Sequence, residues 1–295
     1  TLLASSAASD VYKRQVLDYI PRQYTCFHVR KRSGGFRYIS APAGDFRSMQ
    51  QTIYHRILLL ANIHPAVTGF CPGKSVSDNA RVHLGRKNVL KVDLHDFFPS
   101  IRSPRVRAAF REMGYSRSIA KVLAELCCLR CCLPQGAPTS PALSNIIAYP
   151  MDKKMMALAG EYGLVYTRYA DDLTFSGDYL PKDEVLVRIH RIIREEGFTM
   201  NVKKTRFLSE HKRKIITGVS VSSGKKMTLP KVKKREIRKN VHYVLTKGLV
   251  GHQEHIGSTD PVYLKRLLGS LCYWRSIEPD NRYVSDSITA LKRLM

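Results

Sequence analysis

At 295 residues the chain is long enough to bury a substantial core and to divide into two or three subdomains, since single cores stop growing near this size. Its hydrophobic fraction is 44%, and no run approaches the roughly 20 apolar residues of a helical membrane span, so a membrane-embedded class is excluded. With 49 Lys and Arg against 24 Asp and Glu, the formal charge of +25 points to a polyanionic partner, nucleic acid ahead of a membrane surface, although charge alone names no function.

The chain opens on Thr1, and Asp10–Gln15 (DVYKRQ) is what a common sequencing adaptor encodes when translated; residues 1–15 are therefore expected to be a non-native scar, with the native start missing. Segment 27–40 alternates around Gly34-Gly35, the signal of a β-hairpin with cations on both arms. Residues 46–61 show helical spacing, with Met49, Ile53, Ile57 and Leu60 on one face. A short strand is predicted over 88–94, carrying Asp93 at its end and followed by an aromatic pair and Pro99. Residues 104–128 read as one helix. Cys127, Cys128, Cys131 and Cys132 crowd too closely for a tetrahedral zinc site, and with no secretory signal the seven cysteines are expected to be reduced thiols in a cytoplasmic setting.

A Pro/Gly-punctuated loop follows over 133–141, then a second helix over 142–159. Residues 164–176 read as two β arms with Ala170-Asp171 at the turn, and 183–196 as an amphipathic helix. Strands are expected around 198–208, 214–221 and 226–229. From Pro230 the tail is helical, with Ile237, Val241, Val244 and Leu245 in an apolar stripe beside a basic one of Lys234, Arg235, Arg238 and Lys239. Strands and helices in mixed order give an α+β class, not a doubly wound sheet.

A carboxylate at the end of an apolar strand needs a chemical reason. Joining nucleotides requires a hydroxyl to attack phosphorus while pyrophosphate leaves, and two metal ions about 3.5–4 Å apart can stabilise both oxygens. Magnesium takes hard oxygen ligands, and Asp93 on one strand with Asp171 and Asp172 at a hairpin turn would supply them. Taken alone, adjacent aspartates at a turn read more readily as turn chemistry.

Their surroundings reverse that reading. Val92-Asp93-Leu94-His95-Asp96-Phe97-Phe98, then Leu133-Pro134-Gln135-Gly136-Ala137-Pro138-Thr139-Ser140-Pro141, then Tyr169-Ala170-Asp171-Asp172 resemble, in that order, the palm motifs of reverse transcriptases. The resemblance runs from about Ile20 to the C-terminus. Asn79-Ala80-Arg81-Val82-His83 and Ile216-Thr217-Gly218 further resemble signatures of bacterial retron reverse transcriptases, the second departing from their usual Val-Thr-Gly by one methylene. Val67-Thr68-Gly69 repeats that triplet at the wrong position and is set aside as a decoy.

The resemblance implies a role for each residue. Asp93, Asp171 and Asp172 would hold two Mg2+ ions, and Phe98 would fall at the steric gate against a ribose 2′-hydroxyl. Lys31 and Arg37 resemble cations that grip the incoming triphosphate, which arginine can bind bidentately. Three cations run together at Arg30, Lys31 and Arg32, and which face meets the ligand is open. Gln135 and Gly136 would line the nucleotide and template. Lys204 sits where a lysine protonates leaving pyrophosphate, a solvated surface lysine being the alternative. Asn79 and His83 would contact RNA or serve a structural hydrogen-bonding role, while Lys234, Arg235, Arg238 and Lys239 would track a duplex through its phosphates.

The implied architecture is a right-hand polymerase: fingers over 16–91, palm over 92–228 with interleaved fingers helices, thumb over 229–295. The implied reaction is DNA synthesis from dNTPs on an RNA template. For a retron, the template is its own structured non-coding RNA, the primer an internal guanosine 2′-hydroxyl, and the product a branched RNA–DNA hybrid used in anti-phage defence beside an effector protein. The alternatives are a group II intron-like or diversity-generating reverse transcriptase, and an RNA-binding protein of the same fold without turnover.

Overall fold

A computed structural model describes residues 20–31 and 34–295; the expected scar at 1–15, the first residues of the expected fingers at 16–19, and Arg32 lie outside them. In chain order the elements begin with strands β1 (Tyr24–Arg30) and β2 (Phe36–Pro42), then α1 (Gly44–Arg56), α2 (Val76–Arg81), β3 (Asn88–Asp93) and α3 (Phe97–Ser100). Helices α4 (Ser103–Glu112), α5 (Arg117–Cys127), α6 (Ser140–Ile147) and α7 (Tyr149–Glu161) precede β4 (Val165–Tyr169), β5 (Asp172–Gly177) and α8 (Lys182–Glu195). Then come β6 (Arg206–Leu208), β7 (Ile215–Ile216), β8 (Val219–Ser220) and helices α9 (Lys231–Ile256), α10 (Tyr263–Ile277) and α11 (Arg282–Lys292). The mixed order bears out the α+β class.

The chain separates into two compact units, one built from the segment up to Lys74 with Leu90–Phe175 and Leu180–Phe207, the other from Ser75–Val89, Ser176–Tyr179 and Leu208–Met295. In the first unit, β1 and β2 form an antiparallel ribbon pairing Tyr24 with Pro42 and Arg30 with Phe36. Gly34 and Gly35, both at positive φ, make its turn, as the sequence predicts. Helix α1 turns Phe46, Gln50 and Ile53 inward, and Gln50 Nε2 donates to Tyr24 Oη at 2.9 Å and to the Leu126 carbonyl at 2.8 Å. A four-stranded sheet in the order β4-β5-β3-β6 is the scaffold of this unit. Val92, Leu94, Leu173 and Phe175 from its strands join Phe110, Leu143, Met151 and Ile189 from the helices in one buried core.

Three predicted helices are shorter than their apolar spacing implied. The helix over 46–61 stops at Arg56 because Ile57 leaves helical geometry (φ −122°, ψ −60°), and 58–60 forms a separate 3-10 turn. The helix over 104–128 is cut at Gly114 (φ 96°) and restarts at α5, where the Ser116 hydroxyl accepts from the Ile119 amide. The helix over 142–159 divides at Ala148, where Pro150 in the first turn of α7 has no amide hydrogen to continue α6. Beyond Phe198 the strands are also reduced: 198–205 is loop with a 3-10 turn at Val202–Lys204, and 226–229 contributes only a bridge between Thr228 and Ser220.

In the second unit α9, α10 and α11 close around Trp274, with Ile237, Val241, Val244, Leu267, Leu271 and Ile288 buried beside it. Leu245, predicted in that stripe, is 45% exposed. Helix α9 bends at Gly248 (φ 73°, ψ 167°), a conformation open to glycine. A capping box between Ser75 and Asp78 starts α2, and the Thr217 hydroxyl donates to the Val76 carbonyl at 2.9 Å.

Candidate active site

The first unit holds the acidic centre. Leu90 and Val92, buried in the sheet, anchor β3 so that Asp93 emerges at its end, only 7% exposed. The β4–β5 hairpin reverses at Ala170-Asp171, with Ala170 in the left-handed region (φ 57°). The Leu94 amide donates to the Asp171 carbonyl at 2.9 Å, and the Asn201 amide to the Asp93 carbonyl at 2.7 Å. Two backbone segments remote in sequence are thus stitched edge to edge at the three aspartates.

The electrostatics show that the carboxylates sense one another. Burial, then the charge of Asp172, with Asp93 adding to both, pushes Asp171 up to about 6. Asp172 is pushed up by burial too, with Lys91 opposing and Asp93 reinforcing the shift. Lys204 Nζ donates to both oxygens of Asp93, at 2.9 and 3.1 Å, and this hydrogen bond raises its ammonium above the usual lysine range. Among the described residues no three His, Cys, Asp or Glu side chains are grouped closely enough to hold a metal ion, and Lys204 stands on the Asp93 oxygens. The donor set still fits a hard divalent cation in kind: three carboxylates, two of them raised by burial and mutual repulsion that a cation would relieve.

A cleft of about 1030 Å³ opens over Asp93 and Asp171. Lys31, Arg37, Phe98, Gln135 and Lys204 all line it, as does Arg30, so both faces of the cation run at the hairpin end reach it. Phe98 is half-buried, its ring 5.6 Å from Phe97 and 6.1 Å from Phe70. Gly136 does not line the cleft. A Cβ there would stand 2.9 Å from Ile39 Cγ2 and 3.0 Å from the Ser40 carbonyl oxygen, and the Ser40 amide donates to the Gln135 carbonyl at 2.8 Å; the glycine admits strand β2, not a ligand. Lys204, expected as a proton donor, is held on the Asp93 carboxylate in the metal-free protein, and that contact is what raises its ammonium.

Two cleft residues escaped the sequence reading. Phe70, at φ 61° and 40% exposed, brings its ring within 6.4 Å of Tyr169 as well as to Phe98. Arg130 tips a two-residue hairpin closed by Leu129–Cys132 bonds of 2.9 and 3.1 Å, with Arg130 and Cys131 both at positive φ. That turn normally advertises itself by Asn-Gly or Gly, and here an arginine and a cysteine fill it.

In the second unit the structure corrects several expectations. Asn79 and His83 are buried, so neither offers its side chain to an RNA surface. Asn79 Nδ2 points at Thr217 Oγ1 (3.5 Å), and His83 Nδ1 lies 2.6 Å from Ser176 Oγ with burial holding the ring down to about 3, a neutral imidazole. Lys234 is not a free phosphate contact either: it pairs with Glu278 at 2.7 Å and lies over Trp274. Arg238 stacks on Trp274 and Tyr283 with its side chain exposed, while Arg235 and Lys239 are exposed on the same helix. The seven cysteines are free thiols, and burial lifts Cys127 and Cys128 to about 12. No described helix is long and apolar enough to cross a membrane.

Comparison with known proteins places this geometry in context. The family model for reverse transcriptase (RNA-dependent DNA polymerase) matches residues 29–243. Retron Mx65 reverse transcriptase of Myxococcus xanthus is 35% identical over 279 residues, covering 88% of this chain and 62% of that protein. Retron Ec86 reverse transcriptase of Escherichia coli is 35% identical over 238 residues, covering 79% and 73%. Among solved structures, apo telomerase from Candida tropicalis truncated from its C-terminal domain has a TM-score of 0.47 at 12% identity, covering 72% of this chain and 58% of that one.

Proposed function

The chain belongs to the reverse transcriptase family and to its retron members, and from that premise we propose that it is an RNA-directed DNA polymerase whose reaction centre is Asp93, Asp171 and Asp172. The observation that supports the reading is the backbone bond that brings Asp93 beside Asp171, both lining a cleft that Lys31 and Arg37 also line, with Asp172 next in the chain and coupled to them in charge. The three aspartates would hold two Mg2+ ions, which supply charge stabilisation at the attacking and leaving oxygens. A cation shared with Asp93 would replace Lys204 on its oxygens, leaving that ammonium to face the phosphates.

Lys31 and Arg37 bind the triphosphate of an incoming dNTP, and Gln135 lies along the nucleotide. Phe98, wedged between Phe97 and Phe70, presents a ring that a 2′-hydroxyl would strike. In this reading the fingers lie within 16–91, the palm within 92–228 and the thumb within 229–295, the last following duplex through Arg235, Arg238 and Lys239. The retron kinship supports a structured non-coding RNA as template, an RNA–DNA hybrid (msDNA) as product, and anti-phage defence with an effector protein in the cytoplasm as the setting. The chain spans 62% of the Mx65 protein's length, so these partners belong to the proposal.

Primer extension on poly(rA)/oligo(dT) with Mg2+ tests it. Incorporation of dTTP that disappears in Asp93→Asn and Asp171→Asn proteins of unchanged fold supports the assignment. A natively folded wild-type protein that binds the primer–template and adds nothing overturns it in favour of an RNA-binding protein without turnover.

A further inference from the structure

Beneath the acidic turn lies a charged group the mechanism does not use. Arg168, two residues before Ala170, is 0% exposed, and so are its partners Asp152 on α7 and Asn145 on α6. Its Nε and Nη2 donate to the two oxygens of Asp152, each at 2.7 Å, a bidentate pair. Its Nη1 donates to Asn145 Oδ1 and to the carbonyl of Ala170, both at 3.1 Å. Tyr166 Oη donates to Asp152 Oδ1 at 2.7 Å, completing a set of polar groups fully enclosed by apolar core.

The same residues brace a second strip of backbone. The Arg168 amide donates to the Ala66 carbonyl at 3.0 Å, and the Thr68 amide to the Arg168 carbonyl at 2.9 Å. Asn145 Nδ2 donates to the Gly69 carbonyl at 2.9 Å. Gly69 lies so flat on the turn that a Cβ would meet the Ala170 nitrogen at 2.6 Å. Ala170 itself occupies the left-handed region (φ 57°), which is strained for a non-glycine residue. A strained turn persists only where its surroundings over-determine it. Here the guanidinium bond to the Ala170 carbonyl, fixed in direction by Asp152 and Asn145, supplies the restraint.

We infer that Arg168 is a positioning residue for the reaction proposed above: through the Ala170 carbonyl it sets the turn that aims Asp171 and Asp172, and Asp152 and Asn145 aim Arg168. The inference rests on that reading of the aspartates. A merely structural role predicts a different outcome, because a buried ion pair replaced by apolar residues of similar volume often leaves stability unchanged or higher.

The test is the Arg168→Met/Asp152→Leu double variant beside Arg168→Lys, which keeps the charge opposite Asp152 but loses the fork that reaches Asn145 and Ala170. Three readouts are taken: cooperative unfolding in urea, hydrogen exchange of the Leu94 amide in metal-free protein, and kcat and KM for primer extension. The Leu94 amide reports the turn directly, since it donates to the Asp171 carbonyl. The expected result is cooperative unfolding, faster Leu94 exchange, a kcat lowered at least thirtyfold and KM values within about threefold of wild type. Should the double variant fail to fold, Arg168→Lys carries the same expectations with a smaller loss of kcat. A folded variant of either kind with wild-type kcat and wild-type Leu94 protection overturns the inference. A wild-type protein that extends no primer fails the functional reading instead, and Leu94 exchange still decides whether Arg168 sets the turn.

Discussion

Asp171 is the residue at which the proposed function and stability pull apart. Its folded-state pKa is about 6, above that of a carboxylate in an unfolded chain, so between those values the native state holds the proton more tightly. Stability from this group is therefore greatest in acid and falls as pH rises through about 6, above which its charge is a net cost to the metal-free protein. Asp171→Asn removes the cost. In EDTA at pH 7.5 the variant should be the more stable protein by roughly 1–2 kcal/mol in urea melts, allowing for solvent screening, with the difference gone near pH 4. Its primer extension should be lost. An equally stable or weaker variant at pH 7.5 would show that the carboxylates do not repel as described. Phe98 makes the second prediction at this scale: Phe98→Ala should relax discrimination against ribonucleotides by about 1–3 kcal/mol, roughly five- to 150-fold in the ratio of kcat/KM for dNTP over rNTP. Unchanged selectivity would leave Phe98 as core packing for Phe97 and Phe70.

At the scale of elements, the turn bearing the aspartates depends on a segment that looked incidental. Val67-Thr68-Gly69 reads as a misplaced copy of a family triplet, yet it lies against the β4–β5 turn, with Val67 bridging Arg168 in parallel. Gly69→Ala should push that turn away, because the atoms in the way are backbone and cannot swing aside. A kcat loss of at least about tenfold with a stability cost of about 1–3 kcal/mol is expected, read by primer extension and urea melts of the same preparation. Wild-type activity in Gly69→Ala would mean the turn tolerates displacement. The strand ending at Asp93 and the hairpin turning at Ala170-Asp171 were legible because their order and spacing along the chain survive as motifs, and the hairpin at Gly34-Gly35 because glycine marks its turn. The Arg168 pair was not. A lone arginine in a strand reads as a solvated cation, and nothing in the sequence ties it to Asp152 on a helix or to Asn145. Helix ends were misjudged for a related reason: apolar spacing continues through Ile57 and across Gly114, whereas the backbone conformation breaks there.

For the molecule as a whole, the surplus of 49 basic over 24 acidic residues leaves many cations without an acidic neighbour, and their use depends on which are already engaged. Lys234 shows the distinction, since Glu278 and the Trp274 ring hold it, whereas Arg235 and Lys239 on the same helix stand exposed. Binding to a primer–template should weaken steeply with salt, because each phosphate neutralised releases condensed counterion. Replacing Arg235 and Lys239 together by Gln should flatten the plot of log affinity against log salt by about 1.5–2, with melting unchanged. Lys234→Gln should do the reverse, leaving the slope alone and costing stability by roughly 1–3 kcal/mol, because Glu278 loses its counter-charge and keeps only the Leu229 and Asn281 amide donors. Fluorescence anisotropy across a salt series and urea melts of the three proteins separate the outcomes. If Lys234→Gln lowers the slope by about 0.9, half of what the exposed pair does, the Lys234–Glu278 contact opens on binding, and the basic stripe of α9 acts as one surface as its sequence suggests.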